Sequence, residues 1–314
     1  MQVWRPRVGV STCLLGQQVR YDGGHKHDRW ITGVLSQHVE LIDVCPEVEI
    51  GLGTPREPIR LERIDGEVRL VGQTSKDDHT EAMLEFSRRR VEELGRLDAY
   101  LLKAKSPSCG PNRIPIWNPS GQPERSGRGL FAGTLTQMRP ELAIEEEGRL
   151  NDTPLRERFL AHLYTVARLR ELTERGATRG NLQAFHRAHK FLLMSYSPKI
   201  YRELGRLVAE ATDAREAARV YGMRLAEAFQ QPASMGRQVN TLQHAAGMLR
   251  DRLTDPEREE LVELIGRYSR ASLPLVAVTT LLRSHARRHQ GWRPADWLAE
   301  QTYLEPYPPE LAEF

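Results

Sequence analysis

The chain has three cysteines, and each stands at or shortly after the end of a stretch with strand character. Cys13 follows 7–12, Cys45 follows 39–44, and Cys109 comes a few residues after 97–102. In an open parallel sheet the carboxyl ends of the strands border one crevice, where ligands bind. Thiols 32 and 64 residues apart in sequence can therefore meet in space. Thiolates are soft ligands that suit iron–sulfur clusters, zinc or copper(I). Zinc knuckles and many ferredoxin-type clusters take their ligands from one loop, and here there is no Cys-x-x-Cys pair. The spacing points to a cluster held by the tertiary fold, with one coordination position left open. It equally admits three unrelated buried thiols, because free cysteine is among the most buried residue types.

The elements that must position these thiols alternate through the first half. Strand patterns cover 7–12, 39–45, 97–102 and a last one near 142–145. Helical periodicity covers 28–37, 79–94 and 134–138. Residues 61–71 read as a β-hairpin, with Asp65-Gly66 supplying the positive φ angles of a tight primed turn. The Gly-, Pro- and Ser-rich stretch 114–133 predicts loop. The fold class expected for 1–150 is α/β, an open, mostly parallel, Rossmann-like three-layer sheet. Strand signals nearly vanish after Asn151, and long amphipathic stretches follow at 155–175, 182–196, 199–210, 214–230, 235–253, 256–270 and 274–288. Residues 151–314 therefore predict an all-α domain, expected to bind RNA for the reasons below.

With 314 residues, 39% of them hydrophobic and 28% charged, the chain suits roughly two globular domains rather than disorder. Its start shows no apolar segment of a secretory signal. Its longest apolar stretch, 273–282, is too short to span a bilayer. Three cysteines do not make a disulfide framework. The expectation is a cytoplasmic protein with no membrane association and no obligate protein partner. The excess positive charge is in the second half, where 24 Lys and Arg face 20 Asp and Glu; the first 150 residues hold 21 against 22. This points to an anionic partner for the second half, or to an ordinary solvated helical surface.

The residues flanking the cysteines narrow the choice. The runs Val10-Ser11-Thr12-Cys13-Leu14-Leu15-Gly16, Val19-Arg20-Tyr21-Asp22-Gly23, Cys45-Pro46-Glu47 and Lys105-Ser106-Pro107-Ser108-Cys109-Gly110 resemble the thiouracil desulfidase (TudS) family. Residues 51–56 and 127–132 extend the likeness over about 6–150. The resemblance implies a [4Fe-4S] cluster bound by Cys13, Cys45 and Cys109, and hydrolytic removal of sulfur from a thiolated pyrimidine without net redox change. In the second half, Phe185–Met194, Tyr201–Gly205 and Gln301–Pro308 resemble the YbgA-type helical domain. The two in this order resemble the tRNA 4-thiouridine desulfidases (RudS type). That implies tRNA containing 4-thiouridine as partner and substrate, with uridine and hydrosulfide as products.

The cluster that the resemblance implies would supply an iron open to the thiocarbonyl sulfur, and water would attack C4. Glu47, at the same strand end as Cys45, is the candidate base; its alternative is a cap after the strand. Ser108 and Ser106 are candidate hydrogen-bond donors to cluster or substrate, or ordinary turn residues. Asp22 is a candidate for proton transfer or an Asx turn. For RNA backbone, the candidates are Arg283, Arg287, Arg288 and Arg293 in the densest basic segment, with Arg187, Lys190 and Lys199 as a second set. Trp292 or Tyr196 can stack on a base. His186 and His189 lie three apart on one helix but lack the third ligand that a metal site needs. Two alternatives stay open: the same chemistry on free thiopyrimidines, and a non-catalytic iron–sulfur sensor that binds nucleic acid.

Overall fold

The structure, a computed structural model, describes residues 5–311. The chain divides into two compact units, one running to Phe159 and the other beginning at Leu160. The first contains β1 (Arg7–Ser11), β2 (Glu40–Val44), β3 (Ile59–Ile64), β4 (Glu67–Gly72), β5 (Ala99–Leu102), β6 (Ile114–Trp117), β7 (Pro123–Gly127) and β8 (Ala143–Glu146). Its helices are α1 (Arg29–Gly33), α2 (Pro46–Glu49), α3 (Thr80–Glu93) and α4 (Leu130–Met138).

One sheet has the order β2-β1-β5-β8 and is parallel throughout, with Val8 opposite Leu41 on one side and Ala99 on the other. Interior strands of a parallel sheet are buried on both faces and read as nearly continuous apolar runs. Accordingly, all four residues of β5 are buried and β1 is buried from Val8 onward, whereas Glu40 and Asp43 of the edge strand β2 are exposed. The α/β class expected from the sequence is the class observed. Phe131 of α4 meets Tyr100 of β5 at 5.6 Å and Phe86 of α3 at 6.4 Å between ring centroids, in the core of this unit.

A second, mixed sheet has the order β4-β3-β6-β7. Its β3–β4 hairpin turns at Asp65 (φ 50°) and Gly66 (φ 85°), both left-handed as the Asp-Gly pair predicts. The expectation of loop over 114–133 was wrong. Ile114 and Ile116 alternate inward, β6 pairs with β3 and β7, and α4 begins at Leu130. The Gly and Pro content marks the turn at 118–122, where Asn118 Oδ1 accepts from Gln122 N and Ser120 Oγ, rather than the whole segment. The helix expected over 28–37 is α1, capped by Asp28 Oδ1 on Ile31 N, followed by a separate 3-10 turn at Leu35–Gln37.

The second unit is helical: α5 (Thr153–Glu174, whose first residues belong to the first unit), α6 (Arg179–Ala188), α7 (Lys190–Tyr196), α8 (Pro198–Glu210), α9 (Ala214–Ala228), α10 (Met235–Gly247), α11 (Asp255–Ser269), α12 (Leu275–Arg288) and α13 (Arg293–Ala299). The units divide within α5 rather than at the 150/151 break in the sequence pattern. Early α5 side chains bond back to the α/β unit: Arg156 donates to the Leu150 carbonyl at 3.3 Å, and Arg158 pairs with the buried Glu145. The single helix expected over 182–196 is broken at His189, where ψ is 9° and Nδ1 meets the Phe185 carbonyl at 2.8 Å. The sequence pattern did not reveal α13. No helix among the described residues is long and apolar enough to cross a membrane.

Candidate active site

Strand order decides which loops meet. β2, β1 and β5 are consecutive and parallel, so their carboxyl ends lie side by side. Cys13 sits in the 3-10 turn Thr12–Leu15 directly after β1. Cys45 is the residue before α2, whose first position is Pro46. Proline suits that position because it needs no N–H there. Cys109 follows β5. All three thiols border one cavity of about 780 Å³. Burial pushes the Cys13 thiol up to about 11 and raises those of Cys45 and Cys109 as well. The negative charge of one raises the next: Cys45 acts on Cys13, and both act on Cys109. Without a cation these thiols stay protonated at neutral pH; a bound metal is what converts such groups to thiolates.

The loop carrying Cys109 is held by the Ser106 hydroxyl and by backbone bonds to the start of α4. Ser106 Oγ accepts from the amides of Ser108 (3.2 Å) and Cys109 (3.0 Å). Gly129 N donates to Gly110 O, and Ala132 N to Ser108 O. A Cβ on Gly129 would lie 2.4 Å from the Ser108 carbonyl oxygen, so only glycine admits this approach.

Glu47, in the first turn of α2, borders the cavity. Its Oε2 accepts from Arg56 Nη2 at 2.5 Å and Nε at 3.2 Å, and its Oε1 from Ser106 Oγ at 3.3 Å. Behind Cys13, Lys103 pairs with Glu147, which also accepts from Ala104 N at 2.7 Å. Lys103 N donates to Ser11 Oγ at 3.0 Å. The lining thus combines soft sulfur donors, a carboxylate with one oxygen committed to an arginine, and fixed hydroxyl and amide dipoles. Such a set can bind a soft electrophilic centre and move a proton beside it.

Among the described residues no three His, Cys, Asp or Glu side chains converge on a single ion. Three thiols spread around one cavity suit a body of several metal atoms, each taking one sulfur. Ser108 Oγ, in the residue before Cys109, and the hydroxyl of Tyr100 are buried without a hydrogen-bond partner, but neither residue borders the cavity. The donor set that fits a cluster is the three thiols, soft ligands that line the cavity together.

The remaining sequence candidates separate. Ser106 borders the cavity, whereas Ser108 does not and is wholly buried. Asp22 does not border it either. Its Oδ1 accepts from Gly24 N at 3.0 Å, an Asx turn, and stands 3.4 Å from Arg20 Nε. The Gly24 bond and Arg20 lower its carboxyl below the usual range. Sequence reasoning missed the roles of Arg56, Lys103 and Glu147. Arg56 ends the 51–56 run already singled out, but pairing with Glu47 is visible only in three dimensions.

In the helical unit, several expected RNA contacts are spent on structure. Arg283 pairs with Glu305, and Arg288 with Glu257 at 2.5 Å and His285 Nδ1 at 2.8 Å. Lys190 Nζ lies 5.4 Å from the Trp297 ring centroid and 5.7 Å from that of Phe191. Arg187 makes a long contact, 3.9 Å, with Glu300. Arg287 and Arg293 are exposed and make no ion pair among the described residues. Lys199, 81% exposed, borders a shallow groove along α8 with Arg202, Glu203 and Arg206, two arginines the sequence reasoning passed over although their spacing puts them on one helix face. Tyr196 is buried against Phe229 and is not open for stacking, and Arg252 lies over the half-buried Trp292 ring. His186 stacks on Tyr201 and meets the Tyr221 hydroxyl at 3.0 Å, while His189 is fully enclosed; a metal role for this pair falls away.

Fold and site together define an α/β protein whose parallel sheet gathers three thiols and a carboxylate at one crevice, followed by a helical unit. Comparison with known proteins carries this further. Residues 8–147 match the family described as 2-thiouracil desulfurase, and residues 190–308 a family of unknown function, DUF1722. The chain is 30% identical over 152 residues to the uncharacterized protein YbgA of Escherichia coli K12, covering 48% of this chain and 88% of that one. It is 33% identical over 150 residues to the uncharacterized protein YbbK of Bacillus subtilis 168, covering 46% and 97%. A solved structure described as the [4Fe-4S]-dependent thiouracil desulfidase TudS is 32% identical over 47% of this chain and 95% of that one, with a TM-score of 0.38. The chain belongs to the 2-thiouracil desulfurase family, in a form that joins that domain to a YbgA-type helical domain.

Proposed function

We propose that the protein is a tRNA 4-thiouridine desulfidase, hydrolysing 4-thiouridine to uridine with release of hydrosulfide. The observation that carries this reading is the convergence of Cys13, Cys45 and Cys109 with the Glu47–Arg56–Ser106 assembly on one cavity. The three cysteines would hold a [4Fe-4S] cluster, the group named for the solved relative. Bound, that group supplies a Lewis-acidic iron with a position open to soft sulfur. Glu47 takes a proton from water, the water oxygen bonds to C4, and the C4–S bond breaks. Sulfur leaves as hydrosulfide with no change in oxidation state. Ser106 holds Glu47 Oε1 and so fixes where the proton goes. Lys103, within electrostatic reach of Cys13, offsets negative charge at that end of the cavity.

The tRNA part of the reading is supported by the net positive charge of the second half and by Lys199, Arg202 and Arg206 along α8, three cations that outnumber Glu203 in the same groove. A base within folded RNA must be drawn out to reach such a cavity, as base-modifying enzymes do. A second reading, a desulfidase of free thiouracil, is favoured by the family description and by the ion pairs that neutralise Arg283 and Arg288. Anaerobically reconstituted protein given 4-thiouridine-containing tRNA, 4-thiouracil and 2-thiouracil separates them. The leading reading requires loss of 4-thiouridine absorbance from tRNA with stoichiometric hydrosulfide. Turnover of the free bases alone selects the second. Tight RNA binding with no sulfide from any substrate selects a sensor instead.

A further inference from the structure

We propose that Arg56 is a positioning residue that aims Glu47 at the attacking water; the inference rests on the desulfidase reading above. The guanidinium makes two contacts to one oxygen of the carboxylate, Nη2–Oε2 at 2.5 Å and Nε–Oε2 at 3.2 Å. Its remaining nitrogen, Nη1, donates to the carbonyls of Gly53 at 2.7 Å and Val19 at 3.0 Å. The arginine side chain is 6% exposed and that of Glu47 14%, so the pair is largely withdrawn from water. A charge-assisted contact is strong in such a setting, and the planar guanidinium fixes direction as well as distance.

The terminal torsion of a glutamate is broad and roughly two-fold, and by itself does not decide which oxygen faces a substrate. Here Oε2 is committed to Arg56. Oε1 is turned to Ser106, which borders the cavity and also receives the Cys109 amide. Arg56 thereby ties the carboxylate to two separate backbone segments. One of them, Val19, presents the same carbonyl oxygen to Cys45 Sγ at 3.9 Å. The carboxylate is referenced to the wall on which a cysteine sits, and not merely to its own short helix. A lysine carries the charge but is a point donor on a flexible stem, and does not reproduce this geometry.

The test compares wild type, Arg56→Ala and Arg56→Lys as full-length, iron-loaded chains turning over 4-thiouridine-containing tRNA, with iron content and thermal unfolding of the metal-free chains measured in parallel. Arg56→Ala is expected to lower kcat about 100-fold, the scale set by an ångström-sized misplacement, with KM changed less than about threefold because the substrate is still held. Added guanidinium restores at least about tenfold of that kcat without altering the unfolding temperature, since a free cation cannot rejoin the backbone segments to the chain. Arg56→Lys keeps iron and stability and still loses about tenfold, because it retains charge without the paired geometry. Wild-type kcat in Arg56→Lys overturns the proposal. So does a folded, iron-replete Arg56→Ala that guanidinium fails to rescue, which would make the role structural. If Arg56→Ala does not fold, Arg56→Lys decides alone. Wild type that releases no hydrosulfide from any thiolated substrate overturns the desulfidase reading itself.

Discussion

In the α/β unit, Arg56 and Lys103 close on Glu47 and Glu147 at the wall of a cavity that also holds three thiols. In the helical unit, Arg224, Arg283 and Arg288 close on Glu203, Glu305 and Glu257 at the surface. The same residue types make the same kind of pair, yet the consequences differ. A largely buried pair on the wall of a cavity fixes the direction of a group that can meet a substrate. A pair on a helix surface is screened by solvent and contributes little beyond local order.

The contrast is open to experiment, and the largest effects belong to the cavity. Replacing Cys13, Cys45 or Cys109 by Ala is expected to abolish iron binding and turnover; undiminished iron content in any one variant removes that cysteine from the ligand set. Glu47→Gln should retain iron and lose about 10²–10⁴-fold in kcat, the usual range for a general base. A rate within about threefold of wild type would assign the proton to another group. On the helical side, joint replacement of Lys199, Arg202 and Arg206 by Ala should weaken tRNA binding and make its salt dependence shallower. The log–log slope should fall by about 0.7–0.9 for each phosphate that is no longer neutralised. Replacing Arg283 or Arg288 should do neither; the reverse pattern would move the RNA to the 283–293 segment.

The smallest effect expected concerns pH. Burial pushes His189 down to about 3 and His186 down to about 4, so both are neutral in the folded unit. The unfolded chain, with histidines near the ordinary value of about 6.5, binds more protons between that pH and the folded values, so stability is full above it and declines as pH falls. Helical circular dichroism should report unfolding about 5 °C lower at about pH 5 than at about pH 7. Replacement of both by Gln should shrink that difference, with His285, also lowered by burial, retaining part of it. An unchanged midpoint in the wild type would show that burial costs these rings nothing.

Much of this was legible in one dimension because it is written in local rules. The strand runs at 7–11 and 40–44, the Asp65-Gly66 turn and the Pro46 helix start each depend on a few neighbouring residues. The β6–β7 pair was not legible, since its glycines and prolines look like loop until β3 provides a partner. Ser106 and Ser108 illustrate the limit within the site. Two residues apart and alike in composition, one receives two amides and borders the cavity while the other is wholly buried. Nothing in the string Ser-Pro-Ser-Cys distinguishes them.

By itself the sequence determined the chemical inventory: three thiols at strand ends, a glutamate two residues beyond one of them, and a helical second half with the excess of positive charge. Tertiary structure decided the assignments. The β2-β1-β5 order made separate strand ends neighbours, while the folded chain placed Arg56 on Glu47, left Lys199, Arg202 and Arg206 exposed, and tied down Arg283 and Arg288. The physical reason is range. Propensity and periodicity act over a few residues along the chain, whereas ion pairing, ligand convergence and burial act through space between segments that sequence distance does not order.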